Sequence, residues 1–330
     1  MAEGLRQVPE VAEIWAAARR LAPVLPPTPL RRSAWLERVA EKSVYLKLEC
    51  LQPTGSFKVR GAHNKLLQRQ GSTAVRGVVT ASSGNHGAAL AMAAQTAGTP
   101  VTVVVPEETP AAKVENVRAR GAEVIRHGSV YDEAEQYAHS LAAQKGLEYV
   151  SAFADPDIIA GQGTVALEIL AQLGRVGSVV VPVGGGGLIS GIALAIKAVS
   201  PRTKVVGVQP QESRPMYESF RAGRLVEVRH GRTLSDGTAG GIAESTLRVV
   251  LAHVDTVVTV SERDIARAIR GLVLQDHLVV EGAGALGAAA VLAGTASAAL
   301  EEPVVLVLSG SNIDSDVLAH ILEGRDGAGP

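Results

Sequence analysis

The sequence holds one cysteine, Cys50, in 330 residues, so no internal disulfide can form. A reducing cytoplasm is the expected setting. The eight histidines make no Cys/His cluster at metal-ligand spacing, and no metal is expected. Charge of one sign is also lacking: 32 basic residues stand against 33 acidic ones, for a net charge of -1. That balance offers no footprint for nucleic acid or an acidic membrane. The first residues lack the apolar core of a signal peptide. They instead place Val11, Ile14, Trp15 and Leu21 at the spacing of an amphipathic helix. The charge-free stretch that could suggest a membrane span, 282–300, is mostly Ala, Gly, Ser and Thr, which predicts a buried helix instead. No repeat of fixed period and no low-complexity tract interrupts the chain.

What is present is valine. Six runs lack polar alternation: 77–82, 101–106, 178–183, 204–209, 256–261 and 303–310. Strands apolar on both faces belong to a parallel sheet covered by helices. Helical segments over 87–98, 111–122, 131–146, 262–277 and the Ala-rich stretch after Gly284 lie between them. The alternation predicts an α/β protein built from βαβ units, long enough for about two domains. The proline-rich 23–30 reads as an extended connector leading to a first strand near 43–49, and the last residues, from Gly324, read as frayed.

Four segments could carry chemistry, each at the end of a predicted strand. In TGSFKVRGA (54–62), Lys58 falls at a probable helix start, where the macrodipole disfavours a positive charge and lowers the ammonium's proton affinity. A neutral amine there suits imine chemistry; the alternative is a surface lysine. In ASSGNHGAALAMAA (81–94), Ser82, Ser83, Gly84, Asn85 and His86 turn directly into a helix whose first amides form an anion site, with plain N-capping as the alternative. In VVVPVGGGGLISG (179–191), Gly184, Gly185, Gly186 and Gly187 in succession require close approach of a phosphate or an extreme turn. The spacing is not that of a dinucleotide fold, and the next strand ends in Gln209 rather than an acid. In VLVLSGSNID (305–314), Ser309 could face a ring nitrogen, although alone the segment reads as a helix cap. Ligands of open α/β sheets bind at the carboxyl ends of strands, which is where all four segments converge.

From about Thr28 to Asp314, through TGSFKVRGA, SSGNHG, DPDIIAGQGTVALEIL, PVGGGGLISG, VVEGAGA and LSGSNID, the chain resembles the fold type II pyridoxal-phosphate enzymes, in the branch of threonine and serine dehydratases and serine racemase. The resemblance implies a tryptophan synthase β-like α/β fold, two open parallel-sheet domains with pyridoxal phosphate between them. The large domain is expected over 1–52 and 151–330, with the small one, 53–150, inserted and no C-terminal regulatory domain. Lys58 would anchor the cofactor and act as base, Phe57 would pack beside its ring, and Gly184 to Gly187 would hold its phosphate. Asn85 would meet the phenolic oxygen and Ser309 the pyridine nitrogen. Ser82 to His86 would bind the substrate carboxylate.

The implied reaction is β-elimination of a β-hydroxy amino acid, such as L-threonine or L-serine, to a 2-oxo acid and ammonia, in a cytoplasmic homodimer. The alternative is an amino-acid racemase with Lys58 and Ser83 as bases on opposite faces of Cα; Ser83 could equally bind carboxylate or cap the helix. A non-catalytic binding protein would not need the lysine. A β-replacing synthase fits SGSN and SSGNH less well. Relatives that bind a divalent cation carry an acid where Gln209 stands and an aspartate near Pro215, so that site is expected to be lost. Gly240 and Gly241, in 233–244, suggest room for a larger β-substituent.

Overall fold

The computed structural model describes residues 8–69, 76–82 and 84–324. Ser83 lies outside the described residues, as does nearly all of the segment expected to fray.

In chain order, α1 (Val11–Leu21) is followed by β1 (Leu30–Arg32), α2 (Ala34–Ala40), β2 (Val44–Lys47) and α3 (Lys58–Leu67). Next come β3 (Val78–Ala81), α4 (Asn85–Ala97), β4 (Val101–Val105), α5 (Ala111–Arg118), β5 (Glu123–Arg126), α6 (Tyr131–Lys145) and β6 (Glu148–Tyr149). The remainder runs α7 (Pro156–Leu173), β7 (Ser178–Pro182), α8 (Gly187–Val199), β8 (Lys204–Pro210), α9 (Pro215–Ala222), α10 (Glu244–His253), β9 (Thr256–Val260), α11 (Glu262–Asp276), α12 (Gly282–Leu292), β10 (Val304–Val307) and α13 (Ser315–Leu322).

The strands form two sheets, one of order β1-β2-β10-β7-β8-β9 and one of order β5-β4-β3-β6. Every pairing is parallel except that of β1 with β2 at an edge. All six valine runs are strands of these sheets, and their uninterrupted apolar character follows from cover on both faces. Along β10, Val304 and Leu306 pack with α2, α11 and α12, while Val305 and Val307 pack with α1, α7, α8 and α10. In the smaller sheet Val101, Val103 and Val105 face α3, α4 and α5, and Val104 faces α6. Helix α12, the tempting membrane segment, is buried along nearly its whole length, with no cap or charge of its own. Among the described residues no helix is long and apolar enough to cross a membrane.

Two local readings differ. The apolar face of α1 is realised by Ile14, Ala17 and Leu21, whereas Trp15 is 47% exposed. The connector after Pro23 does not lead straight to β2, because β1 and α2 intervene. Both are short and outward-facing, so they leave no buried run in the sequence.

The placing of α3 and α8 depends on glycine. A Cβ at Gly161 in α7 would lie 2.6 Å from Cα of Gly61 in α3, and one at Gly191 in α8 would lie 2.6 Å from the amide nitrogen of Gly163 in α7. Helix backbones therefore touch at both crossings, and α7 fixes the separation of the two helices whose N-termini carry Lys58 and the glycine loop. We predict that Gly161→Ala lowers stability by on the order of 1–3 kcal/mol, because the overlap is with backbone that no rotamer change relieves. Urea unfolding checks this, and an unchanged midpoint contradicts the close-crossing account.

Candidate active site

Lys58 is the first residue of α3, placed there by the turn after β2. Gly55 turns with φ of +71°, and a Cβ there would lie 2.7 Å from Asn312 Oδ1. Ser56 bridges Gly310, and the Phe57 amide donates to the Ser309 carbonyl at 3.0 Å, so the start of α3 is laced to the end of β10. The Lys58 amine donates to the Ala152 carbonyl at 3.0 Å and lies 5.3 Å from the Phe57 ring centroid. Desolvation lowers its pKa to about 8, and Glu281 opposes that shift. The expected depression is present, with burial rather than the helix dipole as its largest cause.

The turn after β3 divides its residues between two tasks. Ser82 Oγ accepts from the amides of Gly87 (3.0 Å) and Gly84 (3.3 Å), so this hydroxyl is committed to the turn. His86 is buried, with Nε2 3.4 Å from the Val150 carbonyl and Nδ1 without a partner. Burial, then the charge of Lys58, pushes its pKa to about 3, so the ring is neutral and supplies no positive charge to a carboxylate. Asn85 begins α4 with its side chain engaged by two residues of the other sheet's end, Glu281 and Asn312.

Between β7 and α8 runs the glycine loop. Gly186 takes φ of +95° and caps α8 with no side-chain bond, leaving first-turn amides open. The sequence assigned the four glycines to a phosphate or an extreme turn; protein neighbours account for much of the requirement. A Cβ at Gly185 would lie 2.3 Å from the Phe153 ring, at Gly186 2.8 Å from Met216 Cε and Thr246 Cβ, and at Gly187 2.9 Å from Phe153 Cα.

Both sheets present their carboxyl ends to one cavity of about 1660 Å³, lined by Phe57, Lys58, Ser82, Asn85, His86, Gly184 to Gly187 and Ser309. Strands β2, β10 and β7 are adjacent, which brings the ends carrying Lys58, Ser309 and the glycines together. Gln209 is committed elsewhere: its Nε2 donates to the Val183 carbonyl (3.1 Å) and its Oε1 accepts from the Tyr217 amide (2.8 Å). Among the described residues no group of three or more His, Cys, Asp or Glu could hold a metal. Phe153 and Glu281, which also line the cavity, were not singled out from the sequence. Phe153 sits in the unremarkable SAFAD, and Glu281 in VVEGAGA reads as an N-cap; a lone acid amid apolar residues was its only signal.

The comparisons agree with this geometry. Residues 21–310 match the family model described as pyridoxal-phosphate dependent enzyme, and the chain belongs to that family. It is 44% identical over 311 residues to the L-threonine ammonia-lyase of Thermotoga maritima, covering 94% of this chain and 77% of that one. Among solved structures it is similar to the T.th. threonine deaminase (TM-score 0.86, 41% identity, 93% of this chain and 99% of that one). Maize serine racemase superposes with a TM-score of 0.90 at 32% identity, over 96% of this chain and 98% of that one. The fold is type II and the cofactor is pyridoxal phosphate, as the sequence implied.

The residues present fit that cofactor. A desolvated amine with only a carbonyl partner, an uncapped helix start and an unpartnered buried imidazole nitrogen all face one cavity. Because neutral Lys58 is the nucleophile, the rate of covalent pyridoxal phosphate capture by the apoprotein should rise roughly tenfold from pH 7 to pH 9 and then level. Stopped-flow absorbance checks this; a rate still climbing steeply above pH 10 contradicts a desolvated lysine.

Proposed function

We propose that the protein is a lyase that removes water and then ammonia from a β-hydroxy amino acid such as L-threonine or L-serine, leaving a 2-oxo acid. The observation that carries this reading is the pairing in one cavity of the desolvated Lys58 amine with Ser309, an uncharged hydroxyl, at the end of β10. When bound, pyridoxal phosphate supplies a sink for the electron pair released at the substrate's Cα. A serine cannot keep a ring nitrogen protonated as a carboxylate could, so immediate loss of the β-hydroxyl is favoured over a long-lived carbanion.

In this reading Lys58, neutral near its lowered pKa, anchors the cofactor and takes the Cα proton. The open amides at the start of α8 bind the phosphate and Phe57 packs beside the ring. Asn85 meets the phenolic oxygen and Ser309 the ring nitrogen. The substrate carboxylate lies on the segment from Ser82 through Gly84 to the first amides of α4; His86 contributes a neutral ring there and Ser82 a shaped turn. A Cβ at Gly240 or Gly241 would meet nothing within 4 Å, which supports room beside the β-carbon.

Residues 53–150, which hold every strand of the four-stranded sheet, act as a small domain inserted between 1–52 and 151–330. The enzyme works in the cytoplasm as a homodimer. A single, buried cysteine supports the first, and exposed Leu51, Leu274 and Val279 support the second.

Racemisation is the second reading, favoured by the serine at sequence position 83, which the racemase resemblance implies as a second base, and by the likeness to maize serine racemase. A time course on the purified holoprotein with L-threonine and L-serine, following 2-oxo acid and D-enantiomer together, tests both. The expected result is 2-oxo acid without D-isomer, lost by on the order of 10³-fold or more in Lys58→Ala. Dominant D-enantiomer that disappears in Ser83→Ala would overturn the lyase reading.

A further inference from the structure

Glu281 is a buried carboxyl group facing the cavity, and its place in the fold is that of a helix cap it does not serve. It is the N-cap residue of α12, yet its side chain makes no cap bond. Instead its oxygens accept from Asn85 Nδ2 at 2.8 and 3.1 Å, across the gap between the two sheets. Room for the carboxyl is made deliberately: a Cβ at Gly310 would lie 2.3 Å from Glu281 Oε1.

The orientation of the Asn85 amide follows from its partners. The Thr54 carbonyl can only accept, so the Asn312 atom 2.8 Å from it is the NH2 group. That same NH2 lies 2.6 Å from an atom of Asn85, which must then be the oxygen. The Asn85 NH2 is left to face Glu281, whose two oxygens lie 2.8 and 3.1 Å from it. Asn312 and Glu281 thus act as two jaws that prevent the amide from flipping.

We infer that Glu281 is a positioning residue: with Asn312 it holds Asn85 as a hydrogen-bond donor to the cofactor, and it places its own carboxyl group in the cavity that Lys58 lines. The inference rests on reading Lys58 and Asn85 as cofactor contacts. The charged groups around Glu281 are Lys58 from α3, Lys113 from α5 and Asp236 from the loop before α10, with Asn85 and the Asn312 amide as hydrogen-bond donors. Burial raises its pKa to about 7, Asn85 opposes this, and Asp236 adds to it. The anion therefore forms as pH passes neutrality, and it favours the charged form of Lys58.

Two substitutions separate the two roles. Glu281→Gln keeps an acceptor for Asn85 but removes the charge; Asn312→Ala removes the other jaw but keeps the charge. The test is a pH titration of the visible absorption of the substrate-free holoprotein, together with its affinity for pyridoxal phosphate. Glu281→Gln should lower the pH midpoint of the Lys58 nitrogen by about one unit with affinity held within about threefold. Asn312→Ala should weaken affinity about tenfold with the midpoint unmoved. An unmoved midpoint in Glu281→Gln, or unchanged affinity in both Asn312→Ala and Glu281→Ala, overturns the inference. No substrate is present, so a wrong reaction class would not disturb these results. Loss of the visible band in Lys58→Ala independently checks the anchor on which they depend.

Discussion

The Arg60 guanidinium is the point from which the site is hung. Two residues beyond Lys58, it donates to Glu49 at 2.7 Å twice and to Glu168 at 2.6 and 2.8 Å, with Thr164 accepting a further bond at 3.1 Å. All five of its donors are spent. Glu49 follows β2 and Glu168 belongs to α7, so one side chain ties a strand end and a helix to the start of α3. Lys47 adds a second cation, 2.5 Å from Glu168 and 2.8 Å from the Thr28 carbonyl. Two cations and two carboxylates balance, which is what lets the cluster stay buried. Burial would raise the Glu49 carboxyl, but Arg60 and Thr28 outweigh it and hold it below its ordinary value.

That anchoring matters because the amine it positions is held against its own preference. A lysine whose pKa falls from 10.5 to about 8 costs on the order of 3 kcal/mol when charged in the folded state. The sign is fixed: the folded form binds fewer protons than the unfolded one between those two values, so the penalty is full below pH 8 and fades as pH rises toward 10.5. The surrounding structure offsets it through the ion cluster on one side and the glycine crossings of α7 on the other. Reactivity at Lys58 is thus stored as local instability within a rigid frame.

Much of this was legible in the residues. Valine runs without alternation required a doubly covered parallel sheet, and the four strand ends identified from the sequence do meet at one cavity. Motif spacing singled out Asn85, the glycines and Ser309 because each stands within a few residues of a strand's end, whereas Lys58 follows β2 only after a short helical turn and stood out by its place at the start of α3. Side-chain partners were not legible. That Asn85 faces Glu281, 196 residues later, depends on how the two sheets oppose each other, which no local pattern encodes. Phe153 and Thr246 likewise reach the glycine loop from distant segments, so their packing could not be told from the need of a phosphate or a tight turn. The short strands β1, β5 and β6 were missed because they are brief and only partly buried.

The central claim is that the buried ion cluster places Lys58 rather than merely stabilising the fold. Breaking such a cluster by Arg60→Met alone should cost about 3–5 kcal/mol, whereas removing all four charges with apolar residues of similar size can be close to neutral. The decisive measurement is the affinity for pyridoxal phosphate of the fourfold variant Lys47→Met, Glu49→Leu, Arg60→Met, Glu168→Leu, with its stability confirmed by urea unfolding. Recovered stability with affinity still weakened tenfold or more, on the order of 1.4 kcal/mol, is the expected result. A fourfold variant as stable as the parent that also binds the cofactor equally well would contradict it.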